Sequence, residues 1–185
     1  MNALLDITLD IVLVVLLVDL ASGFVHWLED SYGRAEWPIT GALITRPNIL
    51  HHQSPTAFTH NSWLRSADVL IVMGGMIIAV AWALDLLTWQ LLLFVAIGAN
   101  ANEFHKWAHI PAARRHPIVC VLQRYGVLQT PRHHAAHHMG NKDSAYCAVT
   151  NLVNPVVDAL GLWRGLEKCV EWLFGVRKRP DVSLA

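Results

Sequence analysis

Histidine supplies most of the reactive chemistry in this chain: 11 of its 185 residues are His. Four clusters stand out. His26 and Asp30 are four residues apart, and His51-His52 is a doublet followed by Gln53-Ser54-Pro55. His105 and His109 are again four apart, and His134, His137 and His138 form an HxxHH box. On a helix, side chains three or four apart share a face and can converge on one cation. Imidazole is a ligand for iron, zinc and copper alike. An HxxxH pair alone carries little information, HxxHH carries more, and four clusters together carry most. The set His26, His51, His52, His105, His109, His134, His137 and His138 offers eight imidazoles. A single tetrahedral zinc takes about four ligands or fewer. Eight or nine donors therefore suit two metals, with the Asp30 carboxylate available as the ninth. Soluble di-iron bundles use mostly Glu with fewer His, so this set is of a different, His-dominated kind.

Three histidines read otherwise. His116 precedes Pro117 in a basic stretch and is expected to serve as a hydrogen-bond partner. On a helix His133 points about 100° away from His134 and falls outside the box. His60 could go either way.

The elements that must position these residues are apolar. Hydrophobic residues make up 54% of the chain and charged residues 15%, against roughly 25% charged in soluble globular proteins. That composition excludes a disordered linker. Lys+Arg and Asp+Glu number 14 each, and the near absence of basic runs argues against nucleic-acid binding. Cys120, Cys147 and Cys169 have no CxxC spacing and imply no disulfide framework. The length fits one domain over 1–185. Residues 1–10 contain no Lys or Arg, so the start lacks the basic region of a signal peptide.

Apolar stretches at 9–25 and 69–98 are long enough to cross a bilayer, which takes about 20 residues per helix. The second is expected to be a hairpin, with spans at 68–84 and 89–104 around a turn at 85–88. Residues 117–128 and 145–163 are expected to lie on the membrane or cap the bundle, with a fourth span or re-entrant segment at 145–163 left open. The fold class expected is all-α: a polytopic membrane bundle of three or four spans with a His-rich helical cap. Three spans would place 1–8 and the 85–88 turn on one side, without a single Lys or Arg. All 14 basic residues and every His would then share the other side, which the positive-inside rule makes cytoplasmic. Asp19 lies within the first stretch, seven residues before His26 and on the same helix face. An intramembrane carboxylate of this kind is expected to face inward with a partner. The eight Trp are expected to be mostly interface anchors.

Taken in order, these clusters resemble the lipid desaturase family that includes plasmanylethanolamine desaturase. Ala21-Ser22-Gly23-Phe24-Val25-His26-Trp27 with Asp30 and Tyr32-Gly33 resembles its first motif. Pro38 to Gly41 and Arg46-Pro47, leading to His51-His52-Gln53-Ser54-Pro55 and His60, resembles the second. Asn102-Glu103-Phe104-His105-Lys106-Trp107-Ala108-His109 resembles the third. Leu122-Gln123 to Leu128, His134-Ala135-Ala136-His137-His138, Tyr146-Cys147 and Trp163-Arg164-Gly165-Leu166-Glu167 resemble the last. The likeness runs from about 19 to 180. It implies two iron ions, with O2 as co-substrate, placing a double bond in a glycerophospholipid chain. The eight clustered histidines are the implied ligands, and Asp30 matches a functional acidic position that ligates or orients a ligand. Plant plastid phosphatidylglycerol desaturase is similar in the same motifs, so an acyl chain is the alternative substrate. Where animal members carry an acidic residue, this chain has Asn61-Ser62-Trp63-Leu64-Arg65, a departure that bears on headgroup recognition.

The implied partners are a membrane lipid and an electron donor such as cytochrome b5 or ferredoxin. Arg114, Arg115, Arg124 and Arg132 could dock such a donor or could simply reflect positive-inside bias. Two rival readings compete. A zinc-dependent membrane hydrolase needs only about three protein ligands and a water, and the excess histidines weigh against it. A haem carrier needs His within the apolar stretches, and none occurs in 9–25 or 69–98.

Overall fold

The computed structural model describes residues 2–139 and 142–180, all helix and connecting segment with no strand among them. Helix α1 (Ala3–Tyr32) starts at Asn2, whose side chain accepts the Leu4 N–H, and carries Asp6 in its first turn. Both features favour a helix start. A five-residue π-helical turn, Gly41–Thr45, leads into α2 (Arg46–Gln53). A short 3-10 segment, Ala57–His60, precedes α3 (Trp63–Ala83), which Ser62 caps. Asp85, at φ 55°, turns the chain into α4 (Trp89–Gly98), capped by Thr88. There follow α5 (Ala101–His109), α6 (Pro117–Arg124) and α7 (Pro131–His138). In α6 and α7 a proline sits at the first helical position, where its missing N–H costs nothing. The chain closes with α8 (Val153–Ala159) and α9 (Leu162–Phe174).

The helix α1 packs against α4, and α4 against α3. A Cβ on Gly74 of α3 would lie 2.6 Å from Val95 Cγ1 of α4, so the small residue lets the hairpin close, as small residues do in membrane bundles. Outward, α1 exposes Leu9, Val12 and Leu13, α3 exposes Val72, Met76, Val80 and Trp82, and α4 exposes Trp89 and Leu92. An apolar exterior of this breadth belongs against another apolar phase.

The expected spans need correction. Among the described residues, and of the three expected spans, α3 is the helix that is long and apolar enough to cross a membrane by length and composition. The stretch at 9–25 lies inside the 30-residue α1, which also carries Asp6, Asp10 and Asp19. The span expected at 89–104 is instead split into α4 and α5, of 10 and 9 residues. Each is shorter than the roughly 20 residues a crossing requires. The break has a local cause: Asn100 Nδ2 donates to the Ala96 carbonyl (2.9 Å) while Asn100 Oδ1 accepts from Trp63 Nε1 (2.8 Å). A side chain that bonds backbone this way competes with helix continuation.

The segment 145–163, where a fourth span or re-entrant segment was left open, is not one helix. Ala145 has φ 57°, and residues 145–150 are buried and non-helical before α8 begins at Val153. A buried irregular segment must find partners for its backbone, and side chains supply them here. Asp19, fully buried, accepts the Val149 N–H (2.8 Å) and the Thr150 hydroxyl (2.5 Å). Ser22 Oγ accepts the Ala148 N–H (3.1 Å), and Asn154 bonds both the N–H (2.9 Å) and the carbonyl (2.8 Å) of Cys147. Gln129 adds a bond to the Cys147 carbonyl (2.5 Å). The inward-facing partner expected for Asp19 is therefore the backbone and hydroxyl of this segment.

The segment passes so close to α1 that a Cβ on Gly23 would meet Cys147 Sγ at 2.5 Å. Gly23→Ala should lower stability by about 1–3 kcal/mol through overpacking. The same change at Gly165 in α9, with nothing within 4 Å, should leave stability unchanged or raise it by up to about 1 kcal/mol. Thermal unfolding of both variants in detergent checks this; equal effects would contradict the close approach.

Candidate metal centre

Helical geometry sorts the clustered histidines into two groups. Adjacent residues on a helix point about 100° apart, so the doublet His51-His52 divides. His51 joins His105, His109, His134 and His138; His52 joins His26, Asp30 and His137. Within each group the donor atoms all lie within 4.8 Å of one another. The last turns of α1 give His26 and Asp30 to the four-donor group, and α5 gives both its histidines to the five-imidazole group. The helices α2 and α7 stand between and contribute to both. The groups adjoin: the His26 and His105 ring centroids are 5.5 Å apart, and those of His52 and His138 are 5.0 Å apart.

Backbone carbonyls fix two of the rings. His26 Nδ1 lies 3.0 Å from the Tyr146 carbonyl, and His137 Nδ1 lies 2.8 Å from that of Ser144. A carbonyl only accepts, so each Nδ1 donates and Nε2 is the nitrogen turned to the donor group. The two Nε2 atoms flank Asp30 Oδ2, at 3.8 Å for His26 and 3.2 Å for His137. Asp30 Oδ1 accepts from Asn48 Nδ2 (2.6 Å) and faces His52 Nε2 (3.1 Å). In the other group, His134 Nε2 lies 2.8 Å from His105 Nε2 and 2.9 Å from His138 Nε2.

The donor set fits a pair of cations. His26 Nε2, Asp30 Oδ2, both nitrogens of His51, His109 Nε2 and His137 Nε2 are buried without a hydrogen-bond partner. Each such orphan costs about 1–3 kcal/mol, and native proteins contain few of them. A coordinated metal would satisfy several at once. Protonation states agree with this. Burial drives His26 down to about 3 despite the Asp30 carboxylate, and burial and neighbouring imidazoles bring His109 to about 4. Burial, reinforced by adjacent histidines, lowers His51, His105, His134 and His138 well below the ordinary range. All six are neutral at pH 7, the form that ligates. Burial opposes ionisation of Asp30, but His26, His137 and His52 outweigh it and hold the carboxyl well below the usual value.

All eight histidines singled out from the sequence, with Asp30, are thus brought into one interior. His60, His116 and His133 are in neither group. His116 caps α6, its Nδ1 accepting the Ile118 N–H (3.3 Å). Burial lowers His133, opposed by Asp158. Sequence reasoning did not single out Asn48, the Ser144 carbonyl or Phe58. The Phe58 ring centroid is 4.6 Å from His51, 5.2 Å from His105 and 5.5 Å from His109, so it forms an apolar wall on the five-imidazole group. None of the three belongs to a His cluster, and only long-range folding brings them in.

Comparison with known proteins gives the context. The lipid desaturase domain family matches residues 15–181. Plasmanylethanolamine desaturase 1 of Mus musculus is 29% identical, over 95% of this chain and 69% of its own length. Plasmanylethanolamine desaturase of Myxococcus xanthus is 30% identical, over 90% of this chain and 61% of its own. Fatty acid desaturase 4-like 1, chloroplastic, of Arabidopsis thaliana is 31% identical, over 86% and 55%. The chain therefore spans between 55% and 69% of the length of these three relatives. No solved structure matches. A family match over nearly the whole chain, on the segments that carry both donor groups, means that the chain belongs to the lipid desaturase family.

Proposed function

We propose that this chain is a membrane-embedded, di-iron, O2-dependent desaturase acting on a glycerophospholipid. In this reading it forms the vinyl ether of a plasmanylethanolamine-type lipid. The observation that carries it is the division of nine donors, seven buried and two half-buried, into groups of five and four. The names of the mouse and Myxococcus relatives support the ether-lipid substrate. The Arabidopsis relatives keep acyl-chain desaturation, as on phosphatidylglycerol, as the alternative outcome of the test below.

When bound, two irons would supply the O2-dependent oxidation that removes two hydrogens from adjacent chain carbons, which side chains alone cannot do. His51, His105, His109, His134 and His138 would hold one, and His26, Asp30, His52 and His137 the other. The protein's own part is positional. The carbonyls of Tyr146 and Ser144 fix two imidazole tautomers, and such outer contacts set ligand orientation. Asn48 holds the Asp30 carboxylate. Phe58 and the buried walls keep water from the reacting carbons. A zinc hydrolase would use about three of these ligands and leave one whole group without a role.

Membrane embedding rests on α3 and on the apolar exteriors of α1 and α4. The donor groups sit at helix ends, a depth suited to oxidation near a lipid headgroup, and are assigned here to the cytoplasmic side. Two electrons per turnover come from a donor of cytochrome b5 or ferredoxin type. Arg114, Arg124 and Arg132 are exposed for its acidic surface.

Lipid profiling of a host with and without the gene tests the function. New vinyl-ether lipids support the ether-lipid reading, a new acyl double bond in phosphatidylglycerol supports the alternative, and no new double bond refutes both. His137→Ala should abolish product, whereas His116→Ala should leave at least about half the activity, since a lost exposed cap costs only about 1 kcal/mol.

Acidity gives an independent check. Folded His109 and His26 titrate near 4 and 3 rather than 6.5. Between pH 6.5 and 4 the unfolded chain therefore binds more protons than the folded one. Stability is full above 6.5 and is lost as pH falls, while protons also compete with metal. Tm and retained metal should both drop through this window; a flat profile would contradict neutral buried imidazoles.

A further inference from the structure

The last four carbonyls of an α-helix lack partners within it, and the last turn of α1 contains no basic residue to meet them. A residue 149 positions away meets them instead. Arg179 Nη2 donates to the carbonyls of Glu29 (2.8 Å) and Asp30 (3.0 Å), and its Nε donates to Asp30 (3.1 Å). Its backbone N–H reaches the Ser31 carbonyl (2.9 Å). One residue thereby satisfies the Asp30 and Ser31 carbonyls, shares that of Glu29 with the Gly33 N–H, and places a cation at the negative end of the helix dipole. Two ion pairs to α9 brace the tail: Lys178 Nζ to Glu167 (2.9 Å) and Arg177 Nε to Glu171 (2.6 Å).

The turn held in this way carries Asp30, the sole carboxylate among the nine donors. A carboxylate at a helix C-terminus opposes the dipole, and a frayed last turn would move it. The guanidinium counters both effects while leaving the Asp30 oxygens to Asn48, His52 and His137. The five-imidazole group takes nothing from α1, so the tail reaches only one of the two groups.

We infer that Arg179 is a positioning residue for the four-donor group: by capping the turn of α1 that carries Asp30, it makes metal affinity at His26, Asp30, His52 and His137 depend on the 177–179 tail. The inference rests on the two-metal reading and extends it to unequal control of the two sites.

Cobalt(II) titration of the metal-free, full-length protein tests this, read by visible absorption and by metal stoichiometry. Arg179→Gln should weaken one of the two cobalt ions about tenfold or more, the range expected for a lost supporting contact, and leave the other within about twofold. Arg179→Lys, which keeps the charge but not the forked geometry, should fall between. Combining Arg179→Gln with His137→Ala should give no further loss. By linkage, cobalt should slow tryptic cleavage after Arg177 and Lys178 in the unaltered protein. Unchanged affinities in Arg179→Gln, or equal weakening of both ions with loss of helical circular dichroism, would overturn the inference. If the unaltered protein binds one cobalt or none, the two-metal reading fails. Amide exchange in the metal-free protein then decides the role of Arg179. Faster exchange confined to the last turn of α1 in Arg179→Gln supports it, and unchanged exchange there overturns it.

Discussion

Eight imidazoles and one carboxylate packed into a low-dielectric interior leave buried polar atoms that protein groups do not satisfy. Charging the imidazoles there is disfavoured by burial and by one another, so the cluster cannot relieve itself by protonation near neutral pH. Each unsatisfied atom carries a desolvation penalty of about 1–3 kcal/mol. Such an arrangement persists only if the surrounding fold over-determines it and if a bound cation offsets the cost. The positions of α1, α2, α5 and α7 follow from that requirement.

The over-determination comes largely from residues that are not donors. The irregular segment 145–150 packs against α1 and supplies the Tyr146 carbonyl to His26. Its own backbone is held by Asp19, Ser22, Gln129 and Asn154. Tyr146 and Trp163 pack with Trp27 behind His26 and His137. One face of α1 thus does two jobs: Asp19 anchors the segment, and His26, one turn beyond Gly23, is oriented by it. A cut in this chain of contacts would misplace ligands without touching them.

The candidate donors were legible in the sequence because metal-binding helices write their function in short spacings. His26/Asp30, His105/His109 and the HxxHH box each follow helical periodicity. The family resemblance was legible for the same reason, and the match over 15–181 bears it out. The partition of the donors was not read, although the 100° step between His51 and His52 contains it. Contacts spanning more than a hundred residues, such as Arg179 to α1 or Asp19 to Val149, leave no periodic trace. The apolar pattern also misled. Hydropathy joined 89–104 into one span, where Asn100 breaks the helix by bonding Ala96 and Trp63. It left a span or re-entrant segment open at 145–163, where residues 145–150 are apolar largely because they are buried core.

The central claim is that this interior holds two irons. Elemental analysis with Mössbauer spectroscopy of protein reconstituted anaerobically with iron-57 tests it most directly. The account predicts about two irons per chain in two distinct environments, as the unlike five- and four-donor sets require. One zinc per chain with no retained iron would contradict it.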